Sequence, residues 1–335
     1  MMKKKLLISA VILGASAMML TGFDSEATVD DVIKNYTEAG KNAKEFSAAI
    51  DLAAKASVSM TSETSGTSTM SMGMSGSLNA AYLMDPLSMS VDGSLTVDAM
   101  GVGQDMTMQM YTVTGDDGGL DSYVKATSSN AEESTGWEYS SVEADEVKQL
   151  TDLMTGNDFD LSQLPFTFTL GDSAVDVNGT SCYQLLATMT YDELKPFLIE
   201  AMSAAGEEDE LDEDGWSMVD AIMSGFVINM EIDIADDTYL PAKMHIDMDG
   251  SDFTAISQLF AYSMAESAED GSLTLPEIAL DVSSLYIDAV YDYTTPVDIT
   301  VPADALLAKT TDNDSNVSSI GDMVEDIAED VSEAD

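Results

Sequence analysis

Residues 78 to 110 read LNAAYLMDPLSMSVDGSLTVDAMGVGQDMTMQM, with apolar side chains at every second position in four successive runs. The runs are Leu78 to Met84, Leu87 to Val91, Leu95 to Ala99 and Met106 to Met110. Alternation of this kind places apolar side chains on one face of a β-strand and polar ones on the other. Turn sequences separate the runs at Asp85-Pro86, Asp92-Gly93 and Gly101-Val102-Gly103. This stretch therefore predicts an antiparallel meander of amphipathic strands.

The same alternation recurs on both sides of this stretch. It is found over residues 52–60, 226–234, 244–248 and 297–301, and Asn178-Gly179 joins two further strands as a hairpin. Apolar spacings of three and four predict helices over residues 28–50, 143–155, 191–204, 215–224 and 252–268. We expect an α+β fold: a large curved antiparallel sheet, a half-barrel of about eleven strands, with helices over its concave face.

Composition excludes several classes of function. The chain has 335 residues, 62 Asp plus Glu against 12 Lys plus Arg, and a formal net charge of -50. We expect no nucleic-acid partner, because phosphate and base contacts depend largely on basic side chains. Hydrophobic residues make up 45% of the chain, which is enough for a folded core.

No catalytic or cofactor-binding motif is present, so we expect neither an enzyme nor a cofactor. His245 alternates with Met244 and Ile246 and is expected to face solvent from a strand. Cys182 is the single cysteine and is expected to be a small apolar or neutral surface residue rather than a nucleophile.

The two ends of the chain differ from its body. Lys3, Lys4 and Lys5 precede an apolar run of residues 6–20, which predicts an export signal over residues 1–27. Leu20-Thr21-Gly22-Phe23 matches a lipoprotein signal except that Phe23 replaces the cysteine that would be lipidated. We therefore expect a secreted protein, or one on the outer face of a bacterial envelope, that touches the membrane only through an uncleaved signal. Residues 309–335 form an acidic tail, either disordered or an amphipathic helix.

The body of the chain, residues 28–308, resembles a known family. The likeness rests on the lipobox-like Leu-Thr-Gly, the following helix, the alternating strands and a set of local motifs. These motifs are Gly136-Trp137-Glu138-Tyr139, residues 177–183 (VNGTSCY), residues 191–194 (YDEL), residues 237–244 (DTYLPAKM) and residues 298–302 (DITVP). Together they resemble the LolA/LppX-like surface lipoproteins of Gram-positive bacteria. The resemblance implies an open half-barrel with an apolar cavity under its helices; members of known role carry lipids or lipoproteins.

Methionine is unusually frequent, with 24 residues. Two triplets, Met70, Met72, Met74 and Met106, Met108, Met110, each lie on one face of a strand, and methionine adapts to irregular apolar shapes. We predict that a ligand-lining set holds an acyl lipid or another apolar molecule: Met70, Met72, Met74, Met106, Met108, Met110, Met230 and Met244. Alternatively these residues fill an ordinary core, and the protein has a structural or interaction role.

Metal binding is a minor alternative, and we expect no metal site. Thioethers can select Cu(I), but successive residues on one strand face lie about 6.5 to 7 Å apart, too far for one ion. Glu210, Asp212 and Asp214 precede Gly215 as in a calcium loop, yet Ala221 stands where the bidentate glutamate belongs.

Overall fold

The computed structural model describes residues 27–62, 66–99, 101–129, 136–144, 147, 167–204, 213–259 and 277–309. The strands of these ranges are β1 (Glu45–Ser62), β2 (Gly66–Met84), β3 (Leu87–Ala99), β4 (Val102–Thr114), β5 (Leu120–Ser128), β6 (Glu138–Val142), β7 (Thr167–Leu170), β8 (Val175–Val177), β9 (Thr180–Thr190), β10 (Val227–Ala235), β11 (Pro241–Asp247) and β12 (Glu277–Asp292). The helices are α1 (Val29–Gly40), α2 (Tyr191–Ala204), α3 (Glu213–Met223) and α4 (Ala305–Ala308), with a further helical segment over 254–259.

All twelve strands belong to one open antiparallel sheet. Its order is β6-β5-β4-β3-β2-β1-β12-β11-β10-β9-β7, with β8 paired to β9 beside β7. The first six strands form a meander, in which each strand pairs with the next one along the chain. The pairing of β1 with β12 joins this meander to the second half of the sheet. The predicted α+β fold with a large antiparallel sheet is therefore confirmed, with twelve strands rather than eleven.

The two faces of the sheet differ sharply in chemistry, and the strand register shows this directly, because residues paired across neighbouring strands share a face. One row of paired residues runs Leu170, Leu185, Ile232, Met244, Ala289, Ile50, Leu78, Gly93, Met108, Ala126. We call its side the apolar face. A row of the opposite side runs Glu231, His245, Asp288, Asp51, Ser77, Ser94, Thr107, Thr127, and we call this side the polar face.

Helix α1 packs on the apolar face over the second half of the sheet. It begins in a capping box, in which the Thr28 hydroxyl accepts a hydrogen bond from the Asp31 backbone N–H and the Asp31 carboxylate accepts one from the Thr28 backbone. Its buried side chains Val32 and Tyr36 contact residues of β7, β9 and β10. The short helix α4 packs instead against β5 and β6, where Lys309 pairs with Asp121 of the polar face.

The helix predicted over residues 28–50 is correct only as far as Gly40. Phe46 and Ile50 fit the helical spacing, yet they lie in β1 with their side chains on the apolar face. The error has a physical cause: Phe46, Ala48 and Ile50 also alternate with a period of two, and pairing with β2 and β12 selects that period.

One turn prediction and one strand prediction are also wrong. Asp92-Gly93 lies inside β3 and does not end a strand. Residues 297–301 form no strand, although their apolar side chains alternate.

The predicted helices over 191–204 and 215–224 correspond to α2 and α3. The one predicted over 252–268 is helical at 254–259, and its remainder lies outside the described residues. Most of 143–155, the export signal up to residue 26, and the tail beyond Lys309 also lie outside the described residues.

Candidate ligand-binding face

The eight methionines of the predicted ligand-lining set all lie on the apolar face. Met70, Met72 and Met74 of β2 pair with alternate residues of β1, and Met106, Met108 and Met110 of β4 pair with Leu95, Gly93 and Val91 of β3. In β10 and β11, Met230 pairs with Ile246, and Met244 pairs with Ile232. The register therefore extends one apolar surface across both halves of the sheet.

Parts of this face are exposed in the folded chain. Met72 is 46% exposed and Ile287 of β12 is 44% exposed, whereas the other seven methionines of the set are half-buried. Covering such side chains stabilises a complex by about 25 cal/mol per Å² of apolar surface removed from water. An apolar molecule that lies against β2 and β12 would gain this free energy.

Other parts of the face are filled by the chain itself. Met230 and Met244 pack against the buried cluster that α1 forms with β7, β9 and β10, which includes Val32, Leu185 and Ile232. Met110 packs against a second buried cluster of Phe46, Tyr82 and Met89. These three methionines therefore have core contacts, so the available surface is centred on the remaining five.

A cluster of tyrosines lies between α1 and the apolar face, and the sequence analysis did not identify it. Tyr82, Tyr291 and Tyr293 surround Phe46, whose ring stacks on Tyr82 with centroids 4.9 Å apart and on Tyr293 with centroids 5.7 Å apart. Burial raises the pKa of the Tyr36 phenol of α1, and the Tyr291 phenol adds to this rise. In the sequence, only the alternation of Tyr291 and Tyr293 across the end of β12 points to part of this cluster.

Two hydroxyl groups of this cluster are buried without a hydrogen-bond partner in the part of the chain that the structure describes. They belong to Tyr36, which is 1% exposed, and to Tyr293. An unsatisfied buried hydroxyl costs about 1 to 3 kcal/mol. Burial raises the pKa of both phenols well above the ordinary value, so both remain protonated hydrogen-bond donors at neutral pH.

The polar face carries a charged network centred on His245. Its Nδ1 lies 3.0 Å from Asp288 Oδ1 and its Nε2 lies 3.1 Å from Asp247 Oδ2. Lys243 Nζ lies 3.1 Å from the same Asp288 oxygen, and Asn229 donates to Asp247 Oδ1 at 2.8 Å. The contact of Nδ1 with Asp288 links β11 to β12 through this ring. His245 is thus half-buried in an ion-pair network rather than free in solvent.

Asp233 is a buried carboxyl group next to this network. It is 3% exposed, and its Oδ1 has no hydrogen-bond partner among the described residues. Desolvation raises its pKa to about 6, with a further contribution from Glu231 and an opposing one from Lys243. Cys182 is fully buried, and desolvation followed by the nearby Asp233, Asp236 and Asp176 charges raises the pKa of its thiol to about 11, as expected for an unreactive cysteine.

Among the described residues, no group of three or more His, Cys, Asp or Glu side chains could hold a metal ion. The two methionine triplets are separated by β3, which places them about 9 to 10 Å apart. Glu210 and Asp212 of the calcium-like sequence lie outside the described residues. In the same described ranges, no helix is long and apolar enough to span a membrane.

Comparison with family models identifies the family of the chain. Residues 28–257 match the model of DUF6612, a family of unknown function. The chain belongs to DUF6612. The match begins at the capping residue of α1 and ends in the helical segment that precedes β12. No curated protein matches this DUF6612 chain.

Two solved structures are similar to this DUF6612 protein at low identity. Lipoprotein LppX from Mycobacterium tuberculosis is 12% identical, with a TM-score of 0.28, over 78% of this chain and 92% of LppX. A β-barrel-like protein of DUF1849 from Brucella abortus is 8% identical, with a TM-score of 0.18, over 72% of this chain and 96% of that protein. At such TM-scores no property of either protein transfers to this chain.

Proposed function

We propose that this DUF6612 protein is an exported, non-catalytic binding protein of the bacterial cell envelope that holds an apolar ligand, such as an acyl lipid, against the apolar face. The observation that carries the proposal is a continuous apolar surface whose side chains, Met72 and Ile287 above all, remain substantially exposed after folding. Exposed apolar patches of this kind mark binding sites in soluble proteins.

The residue types of the face support an acyl ligand. Met70, Met72, Met74, Met106 and Met108 present flexible, polarisable thioethers along two strands that β3 separates. Such side chains change rotamer at low cost and follow the irregular shape of an acyl chain. This property also predicts tolerance of several chain lengths.

The experiment is a titration of the purified protein with the apolar fluorophore N-phenyl-1-naphthylamine, whose emission rises on transfer from water. We expect saturable binding that is weakened at least tenfold in Met72→Asp, because a carboxylate on the apolar face must be desolvated. Ser71→Asp is the matched control, because Ser71 is exposed on the polar face of the same strand. Equal binding by wild type and Met72→Asp would contradict the proposal.

A second candidate function is an interaction or structural role with a filled face. It is favoured by the core contacts of Met110, Met230 and Met244, which show that the chain itself occupies part of the apolar face. This alternative predicts no saturable binding of the fluorophore to the wild-type protein.

A further inference from the structure

A stretch of strand edge without a partner strand lies in the middle of the sheet, on β12. This strand pairs with β1 from Glu277 to Asp292, whereas β11 pairs with it only from Tyr286 to Val290. Among the described residues, no strand therefore pairs with residues 277–285 on the β11 side. Such an edge offers backbone N–H and C=O groups to an added strand.

Two hydrogen bonds show which backbone groups of β12 point away from β1 along this edge. The Leu285 carbonyl accepts one from the Met248 N–H at 3.2 Å, and the Leu280 N–H donates one to Ser257 Oγ at 3.0 Å. Backbone groups on one side of a strand recur at every second residue. The N–H and C=O of Val282 therefore face the same side as those of Leu280, between the two bonds.

The loop that follows β11 forms the opposite wall of a groove over this edge. The groove has a volume of about 260 Å³. Its described lining is residues 248–254, residues 280–282, Ser284 and Leu285. Ser251 Oγ accepts a hydrogen bond from the Val227 N–H at 2.9 Å and donates one to the Val227 carbonyl at 3.0 Å, and the Asp252 N–H donates to the Gly225 carbonyl at 2.8 Å. These bonds attach the loop to the start of β10.

The side chains along the groove alternate in chemistry. Leu280 and Val282 lie on the apolar face, and Asp281 lies between them on the polar face, where its side chain is exposed. Asp249 and Asp252 add two exposed carboxylates from the loop, and the described lining contains no basic side chain. The groove therefore favours a ligand in which apolar and basic groups alternate.

We propose that this groove binds an extended peptide segment of another protein, with alternating apolar and basic side chains, as an additional strand on the edge of β12. Backbone hydrogen bonds to Val282 hold the peptide, and a lysine or arginine side chain pairs with Asp281. A second copy of this chain is a poor occupant, because a net charge of -50 is repelled by an acidic groove. The peptide site goes beyond the proposed function and does not depend on it.

The test is fluorescence anisotropy with the full-length protein and three fluorescein-labelled peptides in about 0.15 M salt, where exposed charges are largely screened. The peptides are Val-Lys-Val-Lys-Val, Val-Glu-Val-Glu-Val, and the lysine peptide with every backbone nitrogen methylated. We expect the lysine peptide to bind about tenfold or more tightly than either of the others. The glutamate peptide meets like charges, and the methylated peptide cannot donate hydrogen bonds to the strand edge.

Asp281→Lys locates the binding at the groove. It should weaken the lysine peptide about fivefold or more, because an attractive cross-strand pair becomes a repulsive one. Asp237→Lys is the matched control, because Asp237 is exposed in the turn at the other end of β11 and the substitution changes the net charge equally. Its affinity for the lysine peptide should stay within about twofold of wild type.

Three results would overturn the proposal. Equal binding of the methylated and unmethylated lysine peptides would show a contact between charges alone, without strand pairing. Equal weakening by Asp281→Lys and Asp237→Lys would show that binding follows net charge rather than the groove. Self-association of the protein that the lysine peptide reverses in sedimentation velocity would assign the edge to a second copy of the chain.

Discussion

At the scale of single residues, the unpartnered hydroxyls of Tyr36 and Tyr293 are the least expected feature of the core. A phenol that has no partner lowers stability compared with phenylalanine of nearly the same shape. Removing either hydroxyl should therefore stabilise the folded protein.

We predict that Tyr36→Phe and Tyr293→Phe each raise the free energy of unfolding of the ligand-free protein by about 1 to 2 kcal/mol. Urea unfolding followed by circular dichroism measures the change. Tyr139→Phe should lower it by about 1 kcal/mol, because that substitution breaks the hydrogen bond to Asp121. A loss of stability in both cluster variants would show that their hydroxyls are satisfied in the folded protein.

Asp233 gives a prediction about pH. Its pKa is raised from 3.8 to about 6 in the folded state by desolvation, so the carboxyl group favours folding most when it is protonated. The stabilisation by the protonated carboxyl group is complete below 3.8, the pKa of Asp233 in the unfolded chain. It is lost as the pH rises through about 6, the pKa of Asp233 in the folded chain. At neutral pH and above, the buried carboxylate is a net cost.

The variant Asp233→Asn removes this charge. We expect it to be more stable than wild type, and the difference in unfolding free energy to grow by about 1 kcal/mol between pH 5 and pH 8. Urea unfolding at the two pH values checks this. Parallel pH profiles for wild type and variant would mean that Asp233 is solvated or paired.

At the scale of elements, amphipathic alternation predicted most of the meander, but it missed β12. In β12 the apolar positions are Ile278, Leu280 and Val282, and then Leu285 and Ile287. A β-bulge opposite Lys55 and Ala56 inserts one residue and moves the apolar positions from even to odd numbers. A strict period of two therefore fails across the strand that joins the two halves of the sheet.

The sequence likewise predicts only part of the candidate site. The methionine triplets reveal their common face from sequence, because a strand fixes which residues share a side. The tyrosine cluster could not be assembled in this way, since Tyr36 and Tyr293 are brought together only by the packing of α1 on the sheet. Likewise, the ion pairs of His245 depend on the register between β11 and β12.

Gly93 gives a prediction at the element scale. The sequence analysis predicted a turn at Gly93, but this residue lies inside β3. A Cβ there would lie 2.3 Å from the Ser77 carbonyl oxygen and 2.7 Å from Leu78 Cα. Close approach of β3 to β2 therefore requires glycine. Gly93→Ala should destabilise the protein by about 1 to 3 kcal/mol, as overpacking does.

Gly103→Ala in β4 is the control for this change. A Cβ at that position meets only the Asp98 carboxylate, at 4.0 Å, so thermal unfolding should be nearly unaffected. Equal melting temperatures for Gly93→Ala and Gly103→Ala would show that β2 and β3 have more room than described.

At the scale of the whole molecule, one sheet combines an acidic, hydrated face with an apolar face that α1 covers only in part. A net charge of -50 keeps such a protein soluble and repels other copies of itself, which protects an exposed apolar surface from self-association. We therefore propose that the polar face provides solubility and that the apolar face provides binding.

Native mass spectrometry of the full-length protein, purified without detergent, tests the binding role most directly. We predict a non-covalent adduct with the mass of an acyl lipid in wild type and in Ser71→Asp, and its loss in Met72→Asp. Bare protein mass in all three, with no adduct after incubation with methyl dodecanoate, would contradict the account.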